Sequence, residues 1–402
     1  MTPAYRSMMM GARLREIRRA HHLSLQEVAD KVGTSAAYLS QVESGKRALD
    51  RHSALLALAD ALGTSPDVVT ALPVPAPGNG GVDSAIEAIR QALLAVGVRR
   101  PGGQVVATET LRGRVAETVR AYQRGDRAGE AGAAIAALIR DLHSSIESGP
   151  GSTEPHELAV RCHALATLPW LRLAGAPVDL RLQAATLARR VALDAGTPSA
   201  LGLAAWGGLS ALLNAGFVDL AQAELDTIDV SPTGPESTQV AGMLALCRAL
   251  VATVDSRPGD AAALFDQATE LATRTGEDEA LGVGFGPGTV GLWRMECLVD
   301  VGDYAPAAHI GSALHPLDHL PPLWQADYWV TYARALARLR GRRDPAARAL
   351  RRAEQICPPR LYRDPFARDL IVELLARSGD TATPELRGLA QRAGVAGGRG
   401  GH

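Results

Sequence analysis

Two short helical segments and a glycine turn lie within residues 24–47, which read SLQEVADKVGTSAAYLSQVESGKR. Ser24 and Glu27 have the spacing of a capping box, in which each side chain accepts a hydrogen bond from the other residue's backbone N–H. A helix is therefore predicted to begin just after Ser24. Gly33 ends this helix, because glycine adopts left-handed backbone conformations without strain. Ser35 caps a second helix, AAYLSQVE, and two helices joined in this way predict a helix-turn-helix motif.

The second helix has an apolar face and an opposite face of small and polar residues. Tyr38, Leu39 and Val42 are spaced to point into the core. The outward face carries Ala36, Ala37, Ser40 and Gln41. A purely structural three-helix module has no reason to combine such a face with the Lys46-Arg47 pair just beyond it, so a DNA-contacting helix is favoured.

Residues 14–65, LREIRRAHHLSLQEVADKVGTSAAYLSQVESGKRALDRHSALLALADALGTS, resemble the XRE family of lambdoid repressor and Cro-like domains. The resemblance lies in the glycine turn, the ESG exit of the second helix and the downstream LADALGTSPDVV. It implies a five-helix domain over residues 1–72 that places the AAYLSQVE helix in the major groove of double-stranded DNA.

The same resemblance implies roles for individual residues. Arg18 and Glu43 would form a partly buried ion pair between the first helix and the recognition helix. Gln41 is the one base-facing side chain that can pair bidentately with adenine, whereas the two alanines offer only apolar contact to a thymine methyl. The base-facing residues would be Ala36, Ala37, Ser40 and Gln41, behind the cap Ser35. The phosphate-contacting residues would be Ser24, Ser44, Lys46, Arg47 and Arg51.

Composition limits where nucleic acid can bind. The 402-residue chain carries 42 basic and 43 acidic side chains, so any DNA contact must be local. Residues 1–72 carry nine Lys or Arg against seven Asp or Glu, which is the right sign but a small excess. Hydrophobic residues make up 47% of the chain and aromatic residues only 4%, which is typical of an all-α protein. Four separated cysteines and the absence of a secretory signal favour a cytoplasmic location.

Proline and glycine divide the chain into segments. PVPAPGNGG begins at residue 73, and we predict a linker over residues 73–83, a helical repeat domain over residues 84–395 and a disordered tail over residues 396–402. Residues 195–218 carry no charge over a length that could span a membrane, but five glycines favour a buried helix instead.

A motif of the form A-x-x-x-[LF]-x-x-A, or a close variant, recurs in the repeat domain. Its first alanines are Ala221, Ala261, Ala307 and Ala346, at steps of 40, 46 and 39 residues. This spacing resembles the second helix of tetratricopeptide repeats, where a small residue lets neighbouring helices approach closely. The fold predicted from the sequence is therefore all-α, with a lambda-repressor-like helix-turn-helix domain followed by a right-handed α-solenoid.

The region after the linker resembles the C-terminal domains of actinobacterial XRE regulators with tetratricopeptide-like repeats. Its matching stretches include LARRVALDAGTPSALGLAAW and YARALARLRGRRDPAARALRRAEQICP. Such a domain implies a concave surface that binds a peptide or small molecule. Large aromatic side chains with an arginine anchor are the candidate lining, and packing in the core is the alternative for each of them. The candidates are Arg161, Trp170, Trp206, Trp293, Arg294, Trp324, Tyr328, Trp329 and Tyr332.

These features together predict a ligand-responsive, homodimeric transcription factor that reads two DNA half-sites. An alternative is an adaptor whose repeats bind a protein partner such as a toxin or a sigma factor, without a small-molecule ligand. An enzyme is disfavoured, since no catalytic motif is present and the GVGFGPG run follows no strand. We predict no cofactor and no metal site.

Overall fold

The computed structural model describes residues 9–70, 80–124, 128–149, 153–275, 281–282, 284–314 and 320–395. The protein is all-helical, with 80% of its residues in helices and no strand in these ranges. This confirms the predicted helical class. The first seven residues of the predicted linker and the predicted tail over residues 396–402 lie outside the described residues.

Contacts between residues divide the chain into two compact units. One contains residues 77–290, and the other joins residues 1–76 to residues 291–402. The second unit contains segments from both ends of the sequence. The boundaries predicted at residues 72 and 84 rest on composition alone and do not indicate this grouping.

Five helices form the N-terminal part, here called the head (residues 10–70). They are α1 (Met10–Ala20), α2 (Leu25–Lys31), α3 (Ala36–Glu43), α4 (His52–Ala61) and α5 (Pro66–Thr70). Their core consists of buried aliphatic side chains, including Leu14, Leu39, Leu49 and Leu55. Gly11 lets α1 approach the recognition helix, because a Cβ at this position would lie 2.0 Å from the backbone oxygen of Val42.

The described part of the 77–290 unit is built mainly of helices. They are α6 (Gly80–Gly97), α7 (Thr108–Arg124), α8 (Ala128–Ser148), α9 (Glu154–Cys162), a π-helical turn (His163–Thr167), α10 (Leu168–Ala174), α11 (Val178–Ala195), α12 (Pro198–Ala215), α13 (Val218–Asp226), α14 (Pro235–Val254) and α15 (Pro258–Thr275). Because α6 begins at Gly80, residues 80–83 of the predicted linker are helical. Gly81 suits close packing, since a Cβ at Gly129 would lie 2.9 Å from the carbonyl carbon of Gly81.

One helix among the described residues, α14, is long and apolar enough to cross a membrane, with a mean hydropathy of 1.4. Within the protein, 72% of that stretch is buried, as expected for a core helix. The uncharged stretch over residues 195–218 is not a single helix. It contains the end of α11 and all of α12, whose Leu203, Leu209 and Leu213 are buried, so this stretch lies in the core as predicted.

The C-terminal part follows in α16 (Pro287–Val301), which spans the boundary between the units, and in the helices beyond it. These are α17 (Tyr304–Ala313), α18 (Pro322–Ala337), α19 (Arg343–Ile356), α20 (Pro358–Arg363), α21 (Pro365–Ser378), a 3₁₀ turn (Gly379–Thr381) and α22 (Pro384–Arg392). We refer to residues 291–395 as the C-terminal helices.

The recurring alanines occupy equivalent places. Ala221, Ala261, Ala307 and Ala346 lie on α13, α15, α17 and α19, and each is at most 7% exposed. Three of these helices, α13, α15 and α19, pack on the helix that precedes them, whereas α17 packs on α18, which follows it. The pattern therefore marks helix pairs, as the small-residue spacing predicts.

Candidate nucleic-acid interface

The helix-turn-helix is built from the predicted local signals. The backbone N–H of Ser24 donates to the Glu27 carboxylate at 2.7 Å, and the N–H of Glu27 donates to the Ser24 hydroxyl at 3.1 Å. This confirms the capping box, and the hydrogen bonds from Ser24 lower the pKa of the Glu27 carboxyl. Gly33 has φ of +64°, in the left-handed region, and turns the chain between the helices. Ser35 accepts the N–H of Tyr38 at 3.1 Å and caps α3.

The recognition helix α3 presents the predicted faces. Leu39 and Val42 are each 1% exposed and pack in the core of the head. Tyr38 is half-buried against that core. The opposite side holds Ala37, Ser40 and Gln41, which are exposed, and Ala36, which is half-buried. A row of short side chains with one long amide suits approach to base edges.

A buried ion pair fixes the recognition helix to α1. Nε of Arg18 lies 2.6 Å from one carboxylate oxygen of Glu43, and an Nη atom donates to the other oxygen at 2.8 Å. The remaining Nη group of Arg18 donates to the backbone oxygen of Leu23 at 2.7 Å. The hydrogen bond to Glu43 raises the pKa of Arg18. The end of α3 thus has a defined position against α1.

The residues expected at phosphates have different surroundings. Lys46 is exposed just past α3, and the guanidinium of Arg47 lies 4.9 Å from the centre of the Tyr38 ring. The Ser44 hydroxyl donates to the backbone oxygen of Gln41 at 3.2 Å. The guanidinium of Arg51 lies beside Gly302 of the C-terminal helices. Lys46 therefore continues the exposed surface past α3, Arg47 is half-buried against Tyr38, and Arg51 is directed at the C-terminal helices.

A charge cluster that the sequence did not indicate joins the head to the C-terminal helices. Arg338 donates through Nε to Asp50 at 2.5 Å and through Nη1 to Glu373 at 2.7 Å. Its other Nη group donates to the backbone oxygen of Ala48 at 3.3 Å. All three charged side chains are at most 5% exposed. Burial lowers the pKa of Arg338, but its bonds and charge interactions with the two carboxylates outweigh that effect, and the pKa is raised.

Carboxylates of the C-terminal helices also accept backbone N–H groups of the head. Glu373 accepts the N–H of Ala48 at 2.8 Å, and Asp300 accepts the N–H of His52 at 2.8 Å, at the start of α4. Asp369 interacts in the same way with the N–H of Met10 at the start of α1. Helix N-termini favour negative charge, so these contacts stabilise both helices and hold them to one surface.

The residues considered for a ligand pocket fall into both units. Trp170 is 1% exposed and packs beside Gly132, Arg161 pairs with Glu236, and Trp206 is half-buried on α12. None of these three placements is specific to ligand binding, because packing and surface ion pairing account for them.

The remaining candidates lie on α16 and α18. Tyr328 is 1% exposed, donates to the backbone oxygen of Gly311 at 2.8 Å, and stacks on Tyr332 with ring centres 5.8 Å apart. Trp329 meets the Tyr328 ring edge-on at 4.9 Å. The structure thus brings these three together as an aromatic cluster. Half-buried positions are occupied by Trp293, Arg294 and Trp324.

An open depression of about 450 Å³ lies where α18 ends and α19 begins. It contains none of the nine candidates. Most of its polar lining is basic, and it is formed by Ala337, Arg338, Leu339, Arg340, Gly341, Arg343, Asp344 and Arg377. The described residues contain no cluster of three or more side chains that could hold a metal ion.

Comparison with known families bears on the head. A family model described as a helix-turn-helix domain matches residues 10–72. The chain carries a helix-turn-helix DNA-binding domain. This domain coincides with the head, and its recognition helix is α3. Comparisons with curated proteins and with solved structures give no significant match to the chain.

Proposed function

We propose that the protein is a sequence-specific transcriptional regulator of the XRE type that inserts α3 into the major groove of an operator. The exposed face of α3 carries the proposal. Ala37, Ser40 and Gln41 are exposed on a helix fixed from behind by the Arg18–Glu43 pair. A rigid helix with short outward side chains can approach base edges closely, and Gln41 supplies the bidentate hydrogen-bonding group.

The test separates base reading from backbone binding. Gln41→Ala is expected to weaken binding to a selected site by about 10- to 100-fold while barely changing affinity for random duplex. Lys46→Ala with Arg47→Ala is expected to weaken both and to flatten the plot of log affinity against log salt by roughly one unit per lost phosphate contact. Arg99→Ala with Arg100→Ala removes two exposed charges elsewhere and serves as the control. If the wild-type protein binds no duplex DNA, the proposed function is wrong.

The proposed regulator is a homodimer on two half-sites, because a single head makes too small an interface for strong specificity. Consecutive helices that pack on one another, with buried alanines at the recurring positions, support a tetratricopeptide-like solenoid beyond the head. Light scattering at micromolar concentration, with and without DNA, tests the dimer. A monomeric mass in both conditions would exclude it.

The helices after the head are also proposed to bind a small molecule or peptide that alters DNA affinity. About 310 residues exceed what dimerisation of a head requires, and helical solenoids form extended binding surfaces. Native mass spectrometry of the purified protein tests for a retained ligand. Retention of a protein partner alone would favour the adaptor. The proposed regulator is non-enzymatic and cytoplasmic, in keeping with four free, buried cysteines.

A further inference from the structure

Residues 340–352, here called the arginine tract, concentrate positive charge on one short stretch of an almost neutral protein. The tract contains six arginines and one acidic residue, Asp344. All six arginine side chains are exposed. They are Arg340, Arg342, Arg343, Arg348, Arg351 and Arg352. In the described part of the chain, none of the six takes part in an ion pair.

The arrangement of these charges works against the helix that bears them. Arg342 and Arg343 stand at the beginning of α19, where the helix dipole disfavours positive charge, although Asp344 offsets part of the effect. Arg348 repels Arg351 and Arg352, since residues three and four apart are neighbours on a helix. Glu354 attracts Arg351, but the tract as a whole keeps an excess of positive charge that costs helix stability, and such an excess indicates a role in binding an external anion.

The tract lies beside the DNA-binding surface of the head. Arg338, two residues before the tract, donates to the backbone oxygen of Ala48, two residues beyond Lys46. Two residues of chain span at most about 7 Å, and an arginine side chain has a similar reach. Lys46 and Arg340 are therefore separated by less than the roughly 34 Å of one DNA turn. The buried bonds of Arg338 to Asp50 and Glu373 keep this placement rigid.

The depression at the end of α18 has the chemistry of a phosphate site. Exposed guanidinium groups of Arg340 and Arg343 contribute to its lining, whereas Arg338 and Arg377, which also line it, are each paired with Glu373. Guanidinium groups bind phosphate oxygens bidentately and remain charged at every physiological pH. The head itself is only weakly basic and directs Arg51 towards Gly302, so additional phosphate contacts must come from elsewhere for tight binding.

We propose that the arginine tract is an accessory DNA-binding surface that contacts the phosphate backbone flanking the segment read by α3. The inference rests on the proposed DNA-binding function. The DNA-binding surface of this protein is then formed from both ends of the chain, and affinity depends on duplex that extends beyond the footprint of the head.

The experiment measures binding of full-length protein to two random-sequence duplexes over a range of salt concentrations, one of about 12 and one of about 30 base pairs. The variant Arg340→Gln/Arg342→Gln/Arg343→Gln removes three charges from the tract. The matched control Arg99→Gln/Arg100→Gln/Arg172→Gln removes three exposed arginines from the other unit. For the tract variant on the long duplex, we expect the slope of log affinity against log salt concentration to become shallower by about 2–3 units. The control should equal wild type, and the fall should be smaller on the short duplex, which extends less far beyond the footprint of the head.

A charge-preserving variant, Arg340→Lys/Arg342→Lys/Arg343→Lys, guards against misfolding, and it is expected to keep most of the slope. The inference is overturned if the glutamine variant matches the control on the long duplex while Lys46→Ala still weakens binding. The inference is also overturned if the glutamine variant binds both duplexes as the control does and loses only its binding to an acidic protein. Failure of wild type to bind either duplex overturns the proposed function as well, so the two failures are distinguishable.

Discussion

The head and the C-terminal helices belong to one compact unit. The partners of charged residues can nevertheless be predicted from sequence in the head and not in the C-terminal helices. In the head, Arg18 and Glu43 pair across a short stretch of chain within a familiar motif. In the C-terminal helices, Glu373 and Asp300 pair with head backbone groups 325 and 248 residues away. Local capping can be read from spacing, and the Arg18–Glu43 pair follows from the family resemblance, whereas contacts between distant helices depend on how the whole chain packs.

The difference also concerns function. The head carries the helix-turn-helix and the proposed DNA-reading face, while the C-terminal helices hold the loop that follows α3 by burying charges of both signs. Buried ion pairs contribute little net stability but fix a geometry, because removing one partner leaves an uncompensated charge. The C-terminal helices therefore define the orientation of the head instead of leaving it as a freely moving module.

The largest expected effect follows from removing Arg338. Arg338→Met keeps the aliphatic volume but removes the cation shared by Asp50 and Glu373, which are 4% and 1% exposed. Glu373 then keeps Arg377 at 2.9 Å, and among the described residues Asp50 keeps only the hydroxyl of Tyr304 as a side-chain hydrogen-bond donor. We expect the free energy of unfolding to fall by about 3–5 kcal/mol, measured by urea denaturation. Arg340→Met, two residues further on and exposed, should change it little.

A second variant sharpens this result. The double variant Asp50→Asn/Arg338→Met also removes the carboxylate charge of Asp50, which has lost its cation, and should restore part of the lost stability. Equal stabilities of Arg338→Met and Arg340→Met would show that the buried cluster does not hold the head in place.

Breaking the local pair of the head should have a smaller effect. Glu43→Ala leaves the Arg18 guanidinium 10% exposed and bonded only to Leu23, and we expect a loss of about 3 kcal/mol. Because α3 loses its fixed position, affinity for a selected DNA site should fall as well. The double variant Arg18→Met/Glu43→Ala should lose less free energy of unfolding than Glu43→Ala alone. A larger cost for the double variant would contradict the pairing.

The sequence predicted the head more completely than the rest. Ser24, Glu27, Gly33 and Ser35 act within a few residues of one another, so spacing alone fixes the helix bounds. Helical spacing also placed Tyr328 on a defined face, but it could not say what covers that face, and the residue is buried in the protein. The carboxylates of α21 could not be assigned, because their partners are brought near only by tertiary packing.

Asp369 should make stability depend on pH. Burial raises the pKa of its carboxyl from 3.8 to about 7, against the bond from Met10 N–H and the nearby charge of Arg368, with Glu373 raising it and Arg13 lowering it. Between these pH values the folded protein retains a proton that the unfolded chain has released. Stability therefore falls as pH rises from about 4 to about 7 and levels off above.

The variant Asp369→Asn keeps an acceptor for Met10 and removes the titrating group. We expect it to be more stable than wild type at about pH 8 by on the order of 2 kcal/mol, and to lose the difference at about pH 4. Urea denaturation at several pH values measures both. Parallel pH profiles for the two proteins would show that Asp369 is ionised in the folded state throughout.

The smallest expected effect distinguishes core packing from ligand binding at the aromatic cluster. Tyr328→Phe removes the hydroxyl that donates to the backbone oxygen of Gly311 at 2.8 Å and leaves the stacked ring in place. The Gly311 carbonyl keeps the backbone N–H of Leu314 at 3.3 Å, so the variant loses one of two hydrogen bonds there and the free energy of unfolding should fall by about 1 kcal/mol. Tyr332→Phe is the matched control, since its hydroxyl makes no such bond in the described part of the chain. If Tyr328 only packs, both variants should respond equally to any added ligand, and only Tyr328→Phe should be destabilised. Unchanged stability of Tyr328→Phe together with weakened ligand binding would instead place this hydroxyl in a binding site.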